Sequence, residues 1–155
     1  MSTVVGIDLG DRSIGVALGD RGSHVVMPLV TLRRSTPERD ATSIGRICRE
    51  QTVEHIVVGL PLHLDGRDGE QAQRTRDWAA AVAPLLTVPL TFRDERLTSE
   101  QARSRMGRPP RGRSGGPPSP ATLRAWRARI DREAAAAILQ AEFDSQPRDR
   151  QEPSA

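Results

Sequence analysis

The sequence of 155 residues has no lysine, a single cysteine and no long apolar run. One cysteine, Cys48, excludes an internal disulfide and a metal cluster held by thiolates, and a reducing cytoplasm is the simplest setting for it. No run of about eighteen apolar residues indicates a membrane span, and no basic segment followed by an apolar one indicates an export leader. We therefore expect a cytoplasmic chain that folds as one domain with its own hydrophobic core.

Positive charge is carried by arginine alone and is concentrated in one part of the chain. All 23 basic residues are arginine, and the formal net charge is +3. The segment 103–132 contains nine arginines and one acidic residue, whereas the remainder contains 14 arginines and 19 acidic residues. A basic segment on an otherwise acidic domain is expected of a protein that binds a polyanion. A solvated arginine-rich linker is the alternative.

The order of apolar and turn-forming segments predicts an α/β domain with a mixed sheet. Residues 4–9 and 14–18 flank a polar turn and predict a hairpin, and residues 24–32 predict a third strand in which Pro28 favours an edge or a bulge. Ser35 or Thr36 is expected to cap the first helix. The later predicted elements are a central parallel strand at 55–61, a helix at 70–83, a strand at 88–92, a short helix opening at Thr98, and a helix at 121–143.

Two segments are expected to lack regular structure. Nine of the sixteen residues from 107 to 122 are Gly or Pro, which predicts a flexible loop that also carries arginine. The polar residues 144–155 predict a disordered tail. The folded domain is therefore expected to span 1–143, with the loop 107–122 inside it.

The predicted strands indicate two carboxylates as candidate site residues. Asp8 lies between Ile7 and Leu9 in an apolar strand, where a buried carboxylate needs a counter-ion, hydrogen bonds or a bound cation. Pairing with Arg12 across the turn is the alternative to a cation. Glu95 follows a strand predicted to be central, at the carboxyl end where α/β domains gather their sites.

The apolar pattern of the last predicted helix indicates a third carboxylate as a candidate site residue. Asp131 shares a helical face with Ala134, Ala135 and Ile138, and the alanines let that face approach a sheet closely. Asp131 is therefore expected to point at the strands, unless it pairs with an arginine earlier on its own helix. Three converging acids would repel one another, and a divalent cation removes that conflict. Oxygen-only ligation favours Mg2+ or Mn2+, which can activate water and stabilise charge on a phosphodiester.

The opening motif Gly-Ile-Asp-Leu-Gly has two interpretations. It can cradle the phosphates of ATP, as in the actin-like ATPases, or hold a metal ion in a nuclease of the ribonuclease H-like fold. The ATPases close two related domains around the nucleotide and need a second phosphate loop, which this sequence does not contain. The nuclease interpretation is therefore favoured.

Four segments resemble the YqgF family, the RuvX-like proteins regarded as candidate Holliday junction resolvases and pre-16S ribosomal RNA nucleases. They are "GIDLGDRSIGVALGD", "VVGLPLHLDGRDGEQAQ", "FRDERLTSEQA" and "IDREAAAAILQAEF", in the family's order. The resemblance implies a ribonuclease H-like fold, with a mixed central sheet, an antiparallel N-terminal hairpin and flanking helices. It also implies that Asp8, Glu95 and Asp131 are the catalytic residues and the metal ligands. Ser13 stands where the family usually has a second basic residue.

The function expected from these observations is metal-dependent cleavage of structured nucleic acid, with processing of the 5′ end of pre-16S ribosomal RNA preferred. The alternatives are a Holliday junction resolvase acting on branched DNA and a ribosome-assembly factor that binds RNA without cleaving it. A monomer and a homodimer are both compatible with the sequence, and no membrane partner is expected. The residues expected to contact nucleic acid are Arg12, Arg96, Arg108, Arg111 and Arg113.

Overall fold

A computed structural model describes residues 2–62, 66, 69–95 and 107–146. Within these ranges one five-stranded sheet has the strand order β3-β2-β1-β4-β5 and carries helices on both faces. The first three strands pair antiparallel, and β1, β4 and β5 are parallel to one another. This arrangement confirms the predicted mixed sheet with an antiparallel N-terminal hairpin. The strands are β1 (Thr3–Leu9), β2 (Ser13–Asp20), β3 (Val25–Arg33), β4 (Val53–Leu60) and β5 (Leu90–Asp94).

The two edges of the sheet differ in how well the sequence predicted them. β3 is an edge strand, and its pairing with β2 shifts register between Val16 and Ala17, where Pro28 lies opposite Ala17. Both properties suit a residue without a backbone N–H, so the prediction for Pro28 is confirmed. The strand begins after His24, whose φ of 60° is incompatible with extended backbone. The prediction of a central strand before Glu95 is wrong, because β5 lies at the opposite edge and pairs with β4.

The first and last helices of the described ranges begin at residues whose side chains accept a hydrogen bond from a free backbone N–H, whereas the middle helix has no such side-chain cap. Thr36 caps α1 (Pro37–Glu50) by accepting a hydrogen bond from the N–H of Arg39, as the sequence predicted. The second helix, α2 (Glu70–Val82), continues into a short 3-10 turn. No helix in the described ranges is long and apolar enough to cross a membrane.

The last helix, α3 (Pro120–Asp144), starts earlier and ends later than predicted. Ser119 accepts a hydrogen bond from the N–H of Thr122, and Pro120 occupies the first turn, so the last three residues of the predicted loop 107–122 are helical. At the other end, the side chain of Gln146 bonds to Arg21 and to Glu142. The rest of the predicted tail, 147–155, and the helix expected at Thr98 lie outside the described residues.

Alternation along β1 sends side chains to the two faces of the sheet. Val5 and Ile7 pack with α1 and α2 in the larger core, while Val4 packs with Ile138 and Phe143 of α3 in the smaller one. Asp8 lies four residues after Val4, so the side chains of both residues point to the same face of the sheet, which is the face that α3 covers. This placement separates the acidic residues from the main apolar core.

Candidate active site

Glu95 and Asp8 meet above the β1–β4 part of the sheet. The backbone N–H of Glu95 donates to the carbonyl of Leu60 at 3.0 Å, which fixes the chain as it leaves β5. The Glu95 side chain then lies over Gly59, where a Cβ would approach its carboxyl carbon to 2.7 Å. The absence of a side chain at Gly59 leaves the space that the Glu95 carboxyl occupies, and there it is hydrogen-bonded to the side chain of Asp8.

The surroundings of Glu95 strongly favour its neutral form. The residue is only 6% exposed, and burial, followed by the negative charge of Asp8 and the hydrogen bond with it, raises the pKa of Glu95 to about 9. The charge of Asp94 contributes in the same direction. Glu95 therefore carries a proton near neutral pH when no cation is bound. Its Oε2 atom is buried without a hydrogen-bond partner among the described residues.

Asp131 approaches the same region from α3. A Cβ on Gly15 would lie 2.0 Å from the carbonyl oxygen of Asp131, so the helix contacts bare backbone at this point of β2. Gly15 is paired with Asp8 in the sheet, which places Asp131 over the strand next to that of Asp8. The Asp131 Oδ2 atom accepts a hydrogen bond of 2.7 Å from the hydroxyl of Ser13.

The structure brings together two of the three predicted carboxylates. Asp8 and Glu95 are in direct contact, whereas Asp131 is oriented by Ser13. Across the described part of the chain, no three His, Cys, Asp or Glu side chains are grouped so that they could hold one metal ion. The donor set nevertheless fits Mg2+ or Mn2+, since its ligands are carboxylate oxygens and Glu95 Oε2 is buried and unsatisfied.

The predicted phosphate-binding arginines are exposed where they can be seen. Arg12 lies at the turn before β2, and Arg108, Arg111 and Arg113 lie in the segment before α3. Arg96 lies outside the described residues. Ser13 is a site residue that the sequence singled out only as a missing positive charge, and its hydrogen bond to Asp131 was not predicted.

Two solved structures with the same fold are complexes with Holliday junctions. The chain is similar to Thermus thermophilus RuvC in complex with a Holliday junction, with a TM-score of 0.53 and 16% identity over 94% of this chain and 95% of that one. Fowlpox virus resolvase bound to Holliday junction DNA also has a TM-score of 0.53, at 9% identity over 92% of this chain and 97% of that one. These likenesses show a ribonuclease H-like fold. With the buried acidic pair, they define the class: a protein of the ribonuclease H-like fold that carries a buried pair of carboxyl groups on its sheet.

Sequence relatives then identify the family. A relative from Acaryochloris marina is 40% identical over 94% of both chains, and one from Synechococcus elongatus is 39% identical over 92% of this chain and 89% of that one. Both are named "Putative pre-16S rRNA nuclease". The family model for RuvX, described as Holliday junction resolvase, matches residues 2–145. The chain belongs to the RuvX family.

Proposed function

We propose that the protein is an endonuclease that depends on Mg2+ or Mn2+ and processes the 5′ end of precursor 16S ribosomal RNA in the cytoplasm. The observation that carries the metal dependence is the buried contact between Asp8 and Glu95, which leaves Glu95 Oε2 unsatisfied. Two carboxyl groups in a buried contact repel when both ionise, and a divalent cation relieves that repulsion. The relatives named for pre-16S RNA support the choice of substrate.

Each residue of the site has a distinct task in this proposal. Asp8 and Glu95 would hold the ion through their carboxylates, with Glu95 in its ionised form. Asp131, whose Oδ2 atom accepts a hydrogen bond from Ser13, would be the third ligand. When bound, the divalent ion supplies an activated water and stabilises the charge that develops on the phosphate. The arginines that neutralise the flanking phosphates are Arg12, Arg96, Arg108, Arg111 and Arg113.

The substitution Asp8→Asn tests the site, because it keeps the size of the side chain and removes its charge. We expect cleavage of precursor RNA in Mg2+ to fall by at least about 100-fold, which is the usual loss when a group that stabilises transition-state charge is removed. The matched control is Asp11→Asn, since the Asp11 side chain is 79% exposed in the turn after β1 and its ion pair with Arg74 is 3.6 Å long. A folded Asp8→Asn protein with full activity would refute the site.

A second candidate substrate is a four-way DNA junction. The RuvX family is described by that activity, and RuvC of the same fold is known in complex with such a junction. RNA and DNA differ at the 2′-hydroxyl, so the two substrates can be compared under identical conditions in Mg2+. Symmetric cleavage of the junction by a homodimer would favour the resolvase, and cleavage of precursor RNA at its 5′ end by a monomer would favour the proposed function.

A further inference from the structure

A groove opens beside Asp131, between β3 and the first half of α3. Its volume is about 580 Å³, and its polar lining contains five arginines and one acidic residue, Asp131. We call it the flank groove. The arginines that line it are Arg12 and Arg33 on the sheet side and Arg124, Arg127 and Arg132 on α3.

Two contacts between α3 and β3 hold the walls of the flank groove together. The hydroxyl of Thr31 donates to the carbonyl of Ala128 at 2.6 Å, and an N–H of Arg132 reaches the same hydroxyl at 3.4 Å. The helix is therefore tied to β3 at the level of Ala128. Most side chains of the earlier turns of α3, including Arg124 and Arg127, are exposed.

The arginines on α3 form a row that leads to the acidic residues. Arg124, Arg127 and Asp131 are spaced three and four residues apart, so they share one face of the helix. The salt bridges found within the described ranges involve other arginines, Arg74 and Arg93. Five arginines and one carboxylate line the same groove, which gives it a positive field, and a chain of phosphates is the ligand that such a field attracts.

The size and lining of the flank groove indicate how much of a nucleic acid it can hold. Sites for small ligands have volumes of about 300–1,000 Å³, so the groove has room for a short single-stranded segment and not for a double helix. The apolar part of the lining is aliphatic: Val30, Leu32 and Ala128. Contacts to phosphates without aromatic stacking give binding that does not depend on base sequence.

We propose that the flank groove binds the single-stranded backbone next to the cleavage point. Since Asp131 belongs to both the acidic site and the groove lining, a strand cut near Asp8 and Glu95 passes directly into the groove. The inference rests on the proposed function, because it takes cleavage to occur at the acidic residues. Beyond that function, it specifies which part of the substrate must be single-stranded and which arginines bind that part.

The test is a binding measurement in the Asp8→Asn protein, which is expected to bind RNA without cutting it. The groove variant carries R124Q and R127Q, and the matched control carries R39Q and R46Q, two exposed arginines on α1 on the other face of the sheet. Fluorescence anisotropy gives the affinity for an RNA hairpin with a single-stranded overhang of about six nucleotides and for the same hairpin with a blunt end. Each measurement is repeated over a range of salt concentrations.

For the overhang hairpin, we expect the groove variant to bind about tenfold more weakly than the control. Each lost contact to a single-stranded phosphate lowers the slope of log K against log salt by about 0.7, so two lost contacts lower it by about 1.4. Affinity for the blunt hairpin should be the same for both variants. In the cleavage-competent protein, the groove substitutions should raise KM for an overhang substrate and leave kcat unchanged.

Two results would overturn the inference. One is a salt slope equal to that of the control, and the other is an equal loss of affinity for the blunt and overhang hairpins. The test is separate from that of the proposed function because binding does not require cleavage. If the wild-type protein fails to cut precursor RNA while the groove variant still loses affinity for the overhang, the proposed function is wrong. The role of the flank groove in binding single-stranded RNA is then still supported.

Discussion

Glu95 has an environment that opposes its own ionisation, and this property couples the stability of the protein to its site. Its carboxyl group is buried, touches Asp8 and keeps one oxygen unsatisfied. Charging it without a cation costs folding free energy, because burial and the neighbouring charge both disfavour the ionised form. Sites that must hold a charged ligand commonly reduce stability when the ligand is absent.

The substitution Glu95→Gln should therefore raise the alkaline stability of the metal-free protein while it abolishes cleavage. The pKa of Glu95 is raised from 4.5 to about 9, so the stability that its proton contributes is complete below pH 4.5 and is lost as the pH rises toward about 9. Glutamine stays neutral throughout this window. In EDTA near the upper end of it, Tm of the variant should exceed that of the wild type by at least about 3 °C, or roughly 1 kcal/mol.

The control for this experiment is Glu50→Gln, which changes an exposed glutamate at the end of α1. Its melting temperature should follow the wild-type pH profile. Identical pH profiles for Glu95→Gln and the wild type would show that Glu95 is not held in its neutral form, and the coupling between stability and the site would be abandoned.

At this scale the sequence predicted the places of the acidic residues better than it predicted their contacts. Asp8 could be assigned to a buried strand and Asp131 to a helical face that points at the sheet, because apolar runs and helical spacing are local properties of the chain. The hydrogen bond between Ser13 and Asp131 joins residues 118 positions apart and depends on the distance between α3 and β2. No local sequence pattern encodes that distance, so the role of Ser13 could not be predicted.

At the scale of whole elements, glycines on β1 and β2 set the distance between α3 and the sheet. A Cβ on Gly6 would lie 2.8 Å from the carbonyl oxygen of Ala135, and one on Gly15 would lie 2.0 Å from that of Asp131. Backbone therefore packs against backbone over about one turn of the helix, from Asp131 to Ala135. This close approach brings Asp131 within reach of Ser13 and next to the strand of Asp8.

The substitution Gly15→Ala should lift α3 from the sheet and impair the site. The added Cβ would meet helix backbone, which cannot rotate away as a side chain can, so we expect a loss of about 1–3 kcal/mol in the free energy of unfolding. Cleavage should fall by more than the unfolded fraction explains, because Asp131 moves with the helix. Urea unfolding and cleavage assays at a temperature where both proteins are folded measure the two effects.

Gly45→Ala is the matched control, because its Cβ would meet only side-chain atoms at 3.5 Å or more and Gly45 lies inside α1. Alanine in a helix interior is favoured over glycine by about 0.5–1 kcal/mol, so this variant should be as stable as the wild type or more so. Equal stabilities for Gly15→Ala and Gly45→Ala would contradict the backbone contact between α3 and β2.

The start of a helix could be predicted where its capping residue is a local sequence signal. The position of a strand in the sheet was harder to predict, because it depends on which strands pair. Thr36 was predicted as one of two caps of α1, and it is the residue that caps the helix. Ser119 was missed because the surrounding Gly and Pro residues dominate the composition, although Ser followed by Pro is itself a signal for a helix start. The edge position of β5 depends on which strand pairs with β4, and strand length and apolarity do not encode that choice.

On the scale of the whole molecule, the described part of the basic segment 103–132 is divided between two structural settings. Arg108, Arg111 and Arg113 are exposed in the segment before α3, where a hydrogen bond of 2.9 Å from the N–H of Gly112 to the carbonyl of Gly116 forms a turn. The remaining described arginines of the segment lie on α3, and several of them line the flank groove. Arg108, Arg111 and Arg113 are not among the residues that line the flank groove, so the two sets of arginines can contact different parts of one substrate.

If the surfaces are separate, their contributions to nucleic-acid binding should add. Replacing Arg108, Arg111 and Arg113 with glutamine should lower the salt slope for a blunt RNA hairpin by about 2–3, at roughly 0.7–0.9 per phosphate contact, whereas the groove variant should leave that slope unchanged. For the overhang hairpin, a protein with all five substitutions should lose the sum of the two slope changes, because distant sites contribute independently. A combined loss no larger than that of the loop variant alone would mean that the loop and the groove contact the same phosphates, and the two-surface description would then be wrong.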